Sequence, residues 1–416
     1  MTGTLLIRTV AAALLVLVLG LPAGAESLTL KQAIDQALRA NPAIAAGKLS
    51  ADAAKEAVHG ASALKNPEVI VAPSVVGTAG ADSAALVAQP LEVNGSRKAR
   101  KSIASHESAA AQAENQIISR DIVLKVKQLY WATARAMQVV ALNQNNIAYL
   151  ESLREAVSRQ VDVGRTPGSQ LIKSDVELAR ARQELSQAEL DLDSTKAALN
   201  TLLNRPPNSE FTPADTLTFV DINPDVTALL AAGLANRPEL KVATAEVGAA
   251  QGQIDAARAE YRPDVALEAR KESFDSGDSG VAISFHLPVF DWGSSRSAIK
   301  QAKIRESSKQ QQVESVKNAI KLEVEQAILA ERTAAKVVEY YEAGILAKSE
   351  QLAAMAQKGY EKGATSYLEV LEAQRTLRTI KTEYISAVAE HSRAIAQLEW
   401  ASNTEIAGTD SSEVKK

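Results

Sequence analysis

The sequence predicts a mostly α-helical protein with a small β part, made of two tandem copies of one unit. Three observations predict this fold class: a proline-free amphipathic stretch at residues 96–163, a similar stretch at residues 294–362, and a series of short motifs that occurs twice. Each unit has a helix, a β-hairpin, a long helix and a return helix, in that order. Aromatic residues make up 4% of the chain and hydrophobic residues 46%, a composition typical of long helices and coiled coils.

The two long stretches have the periodicity of one helix face. Their apolar residues recur at steps of three and four, or at sums of these steps. At about 1.5 Å per residue the first stretch would form a rod of roughly 100 Å, which must lie along other long helices rather than wrap a compact core. The periodic residues are Ile122, Val126, Leu129, Val140, Ile147, Leu150, Val157 and Val161 in the first stretch, and Val313, Val316, Ile320 and Val324 in the second.

The tandem repeat is visible in four landmarks that keep their order and nearly keep their spacing. Four such landmarks indicate that the two halves are structural copies. We place the first repeat at residues 26–203 and the second at residues 224–402. The landmarks are Pro42 and Pro238, 196 positions apart, Pro67 and Pro263, also 196 apart, Gly95 and Gly293, 198 apart, and Gly164 and Gly363, 199 apart.

Each repeat contains a strand-like segment, at residues 67–91 and 263–289. In the second, Val281, Ile283 and Phe285 alternate with small or polar residues, which predicts a hairpin with one apolar and one polar face. The hairpin turns are expected at residues 77–80 and 274–280. Four strands from one chain have open edges that lipid cannot satisfy, and the smallest closed barrels have about eight strands. A membrane-spanning sheet would therefore require several copies of the chain.

The return helices are predicted at residues 168–203 and 366–402. Leu178, Leu185, Leu192 and Leu199 lie seven apart in the first, a spacing typical of close helix pairing. Residues 204–223 contain three prolines and are predicted to be a non-helical connector. The polar tail at residues 403–416 is predicted to be disordered.

Residues 1–25 have the features of a secretory signal peptide: an early arginine, an apolar run and a small-residue cleavage site. The alternative, an uncleaved membrane anchor, requires a longer apolar run. The chain has no cysteine, so it can form neither a disulfide nor a thiolate metal site nor an N-terminal lipid attachment. An exported chain without these supports could gain stability from interlocked long helices.

Other chemistries are not predicted. The net charge of −4 argues against a nucleic-acid partner. The four histidines are scattered, with no pair at ligand spacing, and His391 falls on a heptad core position that favours packing over metal binding. No phosphate-binding loop, nucleophile motif or catalytic carboxylate pair is present. We expect no enzymatic activity, no cofactor and no bound metal.

Several of these motifs together resemble the TolC family of outer-membrane factors. The resemblance covers essentially the whole chain after residue 25. It includes the helix at Asn41-Pro42, the strand starts at Pro67 and Pro263, the strand-to-helix junction Pro288 to Gly293, and the segment Gly363 to Gln374. The amino-acid sequence of Tyr367 to Leu377 is most similar to that of the heavy-metal (CzcC-like) branch of the family.

The resemblance implies a homotrimer in the outer membrane of a Gram-negative bacterium. Its 12-stranded β-barrel would continue into a periplasmic α-helical barrel. Such proteins are exit ducts of tripartite efflux pumps or of type I secretion systems, in contact with a periplasmic adaptor (membrane fusion) protein and driven by an inner-membrane RND-type or ABC transporter. The exported substrate could be metal cations or drugs. The alternative class is a periplasmic coiled-coil scaffold or adaptor whose short hairpins stay in water.

The resemblance also implies roles for residues near the helix reversals. The two turns, Val163-Gly164-Arg165-Thr166 and Lys362-Gly363-Ala364-Thr365, would meet the adaptor, although glycine also serves a simple helix reversal. Glu369 and Glu372 match acidic residues of the family's pore mouth, and Tyr360 matches a tyrosine of its gate. The two glutamates could equally form a solvated helix face. The family's gate arginine falls at Thr365, so a salt-bridge latch is expected to be absent or rebuilt from Arg165.

Overall fold

A computed structural model describes residues 26–72, 84–271, 279–287 and 290–406. The predicted signal peptide, the turn at residues 77–80, most of the turn at residues 274–280 and most of the tail lie outside the described residues. So do Pro288 and Val289 of the predicted strand-to-helix junction.

The first copy contains β1 (Glu26–Leu28), α1 (Leu30–Ala40), α2 (Pro42–Ser62), β2 (Glu68–Ala72), β3 (Ala84–Pro90), α3 (Ser96–Asp162) and α4 (Gly168–Leu202). The connector holds β4 (Phe211–Pro213). The second copy contains α5 (Val226–Asn236), α6 (Pro238–Ala259), β5 (Asp264–Lys271), β6 (Ser279–His286), α7 (Ser294–Tyr340), a π segment (Tyr341–Ile345), α8 (Leu346–Glu361) and α9 (Tyr367–Ser402). We call α3 with α4 the first hairpin, and α7, α8 and α9 the second hairpin.

The long helices begin at glycines in the left-handed region. Gly95 has φ 96° and Gly293 has φ 89°, conformations that a side chain would oppose. α3 then runs without interruption, whereas the second long helix is broken at the π segment, where Gly344 has φ 147°. The structure therefore departs from the prediction of one helix over residues 294–362.

The connector at residues 204–223 contains a short strand and no helix. Its strand β4 pairs in parallel with β1. The buried Tyr130 hydroxyl on α3 lies 2.9 Å from the Leu28 carbonyl oxygen and 2.7 Å from Asp215 Oδ2, and so joins β1, the connector and α3. A pair of three-residue strands carries no periodicity, which explains why sequence reasoning missed it.

The four long strands form one antiparallel sheet in the order β2-β3-β5-β6. The register places Val69, Val87 and Val281 in one row of one face, together with Ala269. Glu68 and Glu268 lie on the opposite face, where Glu268 pairs with Arg270 at 3.4 Å. The alternation seen in the sequence thus gives one face that is mainly apolar and one that carries Glu68, Glu268 and Arg270 beside Ile70 and Leu86.

The helices pack as two open rows that share α3. Near the sheet the principal contacts give the order α2-α3-α6-α7, and farther away they give α4-α3-α9, with the rest of α7 and then α8 beyond α9. We call β2, α2 and α4 the first edge of the molecule, and β6, α7 and α8 the second edge. The sheet and both rows of helices therefore end at the same two edges.

Where the two rows meet, a charged cluster joins the copies. The guanidinium groups of Arg120 and Arg237 both pack on the indole ring of Trp400, 4.5 and 4.8 Å from its centroid. Both arginines also pair with Glu239, and together they hold the pKa of that carboxyl at about 2 against the opposing effect of its burial. Because Arg120 belongs to the first copy and the other three residues to the second, the cluster fixes one copy against the other.

Candidate gate and tip surfaces

Both helix reversals are built in the same way. Gly164 donates its N–H to the Val161 carbonyl at 2.9 Å, and the next residue donates to Gln160 at 2.9 Å. Gly363 and Ala364 repeat this pattern with Tyr360 and Gly359, at 3.0 and 2.8 Å. This is a Schellman motif, which requires a left-handed residue, and the two glycines have φ 71° and 74°.

The two turns present open backbone. A Cβ placed on Gly164 or Gly363 would meet no atom within 4 Å. Each turn therefore leaves room for another molecule to approach its main chain closely. The predicted tip residues are together at these two turns: Val163, Gly164, Arg165 and Thr166 in one, and Lys362, Gly363, Ala364 and Thr365 in the other.

A neutral hydrogen-bonded group joins the two hairpins at the tip. The Tyr360 hydroxyl donates to Gln160 Oε1 at 3.2 Å, and the Thr166 hydroxyl lies 3.0 Å from the same oxygen. We call these three residues the tip latch. Among the described residues, Arg165 forms no ion pair, so the latch contains no salt bridge.

Tyr360 extends from the latch into the shared core of the two hairpins. Its ring packs 6.3 Å from that of Tyr367, at 58°. Burial raises the pKa of both phenols, that of Tyr367 to about 12, so both stay protonated. The core around them contains Leu150, Leu153, Val157, Leu178, Val370 and Leu371.

The two predicted pore acids differ in their surroundings. Glu369 is the third residue of α9 and completes a capping box, because its carboxylate accepts the Ser366 backbone N–H at 2.8 Å while Ser366 Oγ accepts the Glu369 N–H at 3.3 Å. Glu372, one turn later, is exposed, and its carboxylate has no hydrogen-bond partner among the described residues. Glu369 therefore stabilises the start of α9, whereas the Glu372 carboxylate is exposed on the surface of α9.

Charged pairs fasten α4 to α9 farther from the tip. Arg375 Nε lies 3.2 Å from Glu177 Oε2, and Arg378 pairs with Glu184. Sequence reasoning missed these residues, as it missed Gln160. Their spacing in the sequence could have indicated the contact. The two arginines are three residues apart on one helix and so share a face of it, and the two glutamates, seven apart on another helix, share a face of that one.

No metal or cofactor site stands out in the part of the chain that the structure describes. There, no group of three or more His, Cys, Asp or Glu residues could hold a metal ion. His391 is buried with its Nε2 3.3 Å from Glu331 Oε1 and its ring 4.9 Å from that of Phe219. None of the described helices is long and apolar enough to span a membrane.

Comparison with known proteins gives the same family along most of the chain. The profile described as outer membrane efflux protein matches residues 33–205 and 229–404, so its two matches begin 196 positions apart, the spacing of the internal repeat. The chain is 27% identical over 383 residues to the cobalt-zinc-cadmium resistance protein CzcC of Cupriavidus metallidurans, covering 90% of each protein. It is 26% identical over 319 residues to the nickel and cobalt resistance protein CnrC of the same organism, covering 74% of this chain and 75% of that one.

A solved structure shares the fold. The open state of the MtrE outer membrane channel of Neisseria gonorrhoeae superposes with a TM-score of 0.75 at 20% identity, covering 90% of this chain and 89% of the other. The doubled profile match, together with the repeated strand, long-helix and return-helix unit, identifies the molecule. The chain belongs to the outer membrane efflux protein family, the TolC family, and is an efflux channel of the outer membrane.

Proposed function

We propose that three copies of this chain close head to tail into the exit duct of a tripartite efflux pump. The observation that supports this most is that every level of one molecule is an open row ending at the same two edges. β2 and β6 end the sheet, α2 and α7 end the upper row of helices, and α4 and α8 end the lower one. A heterologous contact between a first edge and a second edge closes into a ring. The number of copies in the ring, three, is taken from the family.

The helical edges have the composition that such a contact needs. Both carry large apolar side chains that are exposed in one copy, and burying them against each other would stabilise the assembly. On the first edge these are Leu49, Ile172, Val176 and Leu190, and on the second they are Leu322, Leu329, Leu352 and Met355.

The strands suit a closed sheet in lipid. Val281, Ile283 and Phe285 are 76%, 62% and 66% exposed on the apolar face, where hydrocarbon chains would cover them. The face with Glu68, Glu268 and Arg270 would line a water-filled lumen. Joining β6 of one copy to β2 of the next removes the open edges that lipid cannot satisfy and gives a 12-stranded barrel.

The far end would meet the adaptor protein and close the passage. Three copies would place six open glycine turns in one ring, to which a second ring of helices could dock. Tyr360, Glu369 and Glu372 would surround the passage just behind the turns. Carboxylates around a narrow axis favour cations.

For the substrate we propose divalent metal cations delivered by an inner-membrane transporter. The metal-resistance relatives CzcC and CnrC match this chain over 90% and 74% of its length. A strain lacking the gene should become sensitive to cobalt, zinc or cadmium, and plasmid-borne expression should restore resistance. If the strain became sensitive only to organic compounds, the exported substrate would be an organic compound and not a metal cation.

The assembly is tested by edge variants. Changing Ile172 and Val176 to glutamate, or Leu352 and Met355 to glutamate, should abolish the trimer seen by chemical cross-linking of the outer-membrane fraction. Val163→Glu is the matched control, since Val163 is equally apolar and exposed but lies at a turn. A native chain recovered as a water-soluble single copy would support the scaffold alternative instead.

A further inference from the structure

The second long helix contains a local break that the first does not have. At Tyr341–Ile345 the backbone forms a π segment, and Gly344 within it has φ 147°. The matching part of the first hairpin lies inside the uninterrupted helix α3. α9, which packs beside the break, is also continuous from Tyr367 to Ser402.

One additional residue accounts for this break. The glycine before the long helix and the glycine at its tip are Gly95 and Gly164 in the first copy, and Gly293 and Gly363 in the second. The second interval is one residue longer. A π segment accommodates one residue more than an α-helix over the same length. The break therefore keeps the second tip level with the first despite the extra residue.

Two reciprocal hydrogen bonds hold the break against α9. The Tyr341 hydroxyl donates to Glu383 Oε2 at 3.0 Å, and the Tyr384 hydroxyl donates to Glu342 Oε1 at 2.8 Å. The two rings pack edge to face, with centroids 6.3 Å apart. We call these four residues the clasp. Their hydrogen bonds are partly solvated, and such bonds contribute little stability each, so the clasp can be released.

Beyond the break, α8 reaches the tip latch. Glu350 on α8 pairs with Lys381 on α9 at 2.9 Å, and Tyr360 at the end of α8 donates to Gln160 of the first hairpin. Because a left-handed glycine separates α8 from α7, α8 can turn about its axis without bending α7. A small rotation of α8 would withdraw the Tyr360 hydroxyl from Gln160.

We propose that the π segment is a hinge created by the inserted residue, and that the Tyr341–Glu383 and Tyr384–Glu342 clasp holds it in the position that keeps the tip latch closed. The proposal rests on the proposed function as a channel. Release of the clasp lets α8 change its register against α9 and opens the latch. The first hairpin, which has no such break, stays in place.

The clasp is tested by removing its hydroxyl groups while keeping its rings. Purified trimers of the Tyr341→Phe/Tyr384→Phe variant should open in planar bilayers with an open probability about fivefold above that of the native protein, because two hydrogen bonds are lost. The matched control is Tyr340→Phe, since Tyr340 is adjacent, 68% exposed and makes no side-chain hydrogen bond among the described residues.

The hinge is tested by straightening it. Deleting Ala343 removes the extra residue, and Gly344→Ala penalises the left-handed backbone, although a Cβ there has room, with Lys348 Cε the nearest atom at 3.9 Å. Deletion should reduce openings below the native level, because it removes the hinge, whereas Gly344→Ala should raise them, because its penalty falls on the backbone of the closed state. If deletion prevents assembly, Gly344→Ala still decides the matter.

The two proposals fail in different ways. If the double phenylalanine variant and Gly344→Ala both gate like the native channel, the hinge is overturned while the channel stands. If the native protein forms no trimeric channel in bilayers, the proposed function fails first.

Discussion

The two copies of the repeat keep the same scaffold but differ in the polar residues near their tips. Leu199 and its counterpart Leu398 are both fully buried, and both reversals use a left-handed glycine. In contrast, the acids of the second copy, Glu369 and Glu372, stand where the first copy has Gln170 and Lys173. Packing therefore constrains both copies alike, whereas charge and hydrogen bonding at the tips are free to diverge.

The tips differ in their contacts as well. Gln160 in the first copy accepts two hydrogen bonds, whereas its counterpart in the second copy is Gly359, where a Cβ would overlap the Thr365 hydroxyl. α4 begins after Pro167 without a side-chain cap, whereas α9 begins with a capping box. We interpret the first hairpin as the fixed platform and the second as the hairpin that moves.

The largest expected effect comes from proline at the turns. Proline fixes φ near −65°, which is incompatible with φ 71° at Gly164 and 74° at Gly363. Gly363→Pro should abolish export while trimers remain in the outer membrane, because only the proposed adaptor surface is distorted. Gly164→Pro should do the same if both turns dock. Normal metal resistance in both variants, with native protein levels, would rule out docking at the turns.

A second prediction exchanges the charges of the two copies. Glu369→Gln with Glu372→Lys gives the second tip the residues of the first, and glutamine at this position still permits the capping box. Reversal potentials of trimers in bilayers should then shift from cation preference toward anion preference. Gln170→Lys, at the matching position of the first copy, is the control and should have a smaller effect. Equal selectivity in the native and exchanged proteins would remove the acids from the passage.

A third prediction concerns the anchor of the connector. Tyr130→Phe removes a buried hydroxyl that lies within hydrogen-bond distance of the Leu28 carbonyl and the Asp215 carboxylate and that accepts the Asp215 N–H at 3.1 Å, which should cost about 1–3 kcal/mol of stability. The counterpart of Tyr130 is Ile328, also buried, where no strand is anchored. Ile328→Val should cost only about 0.5–1.5 kcal/mol. Thermal melting of the purified trimers compares the two, and native melting of the Tyr130→Phe variant would mean that the hydroxyl contributes nothing.

The sequence predicted the elements that have long periodic patterns. The apolar spacing in α3 and α7 and the alternation in β6 depend on local geometry, so a single chain reveals them. The latch residue Gln160 could not be found in this way, because its partner lies 200 positions later. Likewise, nothing local indicates that Asp215 meets Tyr130.

The π segment is an intermediate case. The change in repeat spacing from 198 to 199 between the two ends of the long helices already implies an inserted residue. Apolar periodicity does not locate it, because a single insertion shifts the helix face by about 100°, which neighbouring apolar residues can hide. The position of the break is fixed by the contacts of Tyr341 and Glu342 with α9, which only the structure reveals.

The smallest expected effect is a pH dependence near the middle of the second hairpin. Burial lowers the pKa of His391 below its usual value, and the negative charge of Asp221 opposes this only in part. Burial raises the pKa of its neighbour Glu331, with Arg332 acting in the opposite direction. The counterpart of His391 in the first copy is Leu192, which does not titrate.

The sign of the effect follows from proton uptake. Below about pH 6.5 the unfolded chain binds a proton at His391 that the folded protein does not yet bind, so stability falls as the pH falls. Glu331 has the opposite slope at lower pH, because its raised pKa makes the folded state bind a proton first. His391→Gln removes only the first effect and keeps a hydrogen-bonding group beside Glu331. The melting temperature of the native protein should therefore fall more than that of this variant between pH 7 and pH 5.5. If the two melting temperatures fell in parallel, His391 would take up its proton as readily in the folded protein as in the unfolded chain.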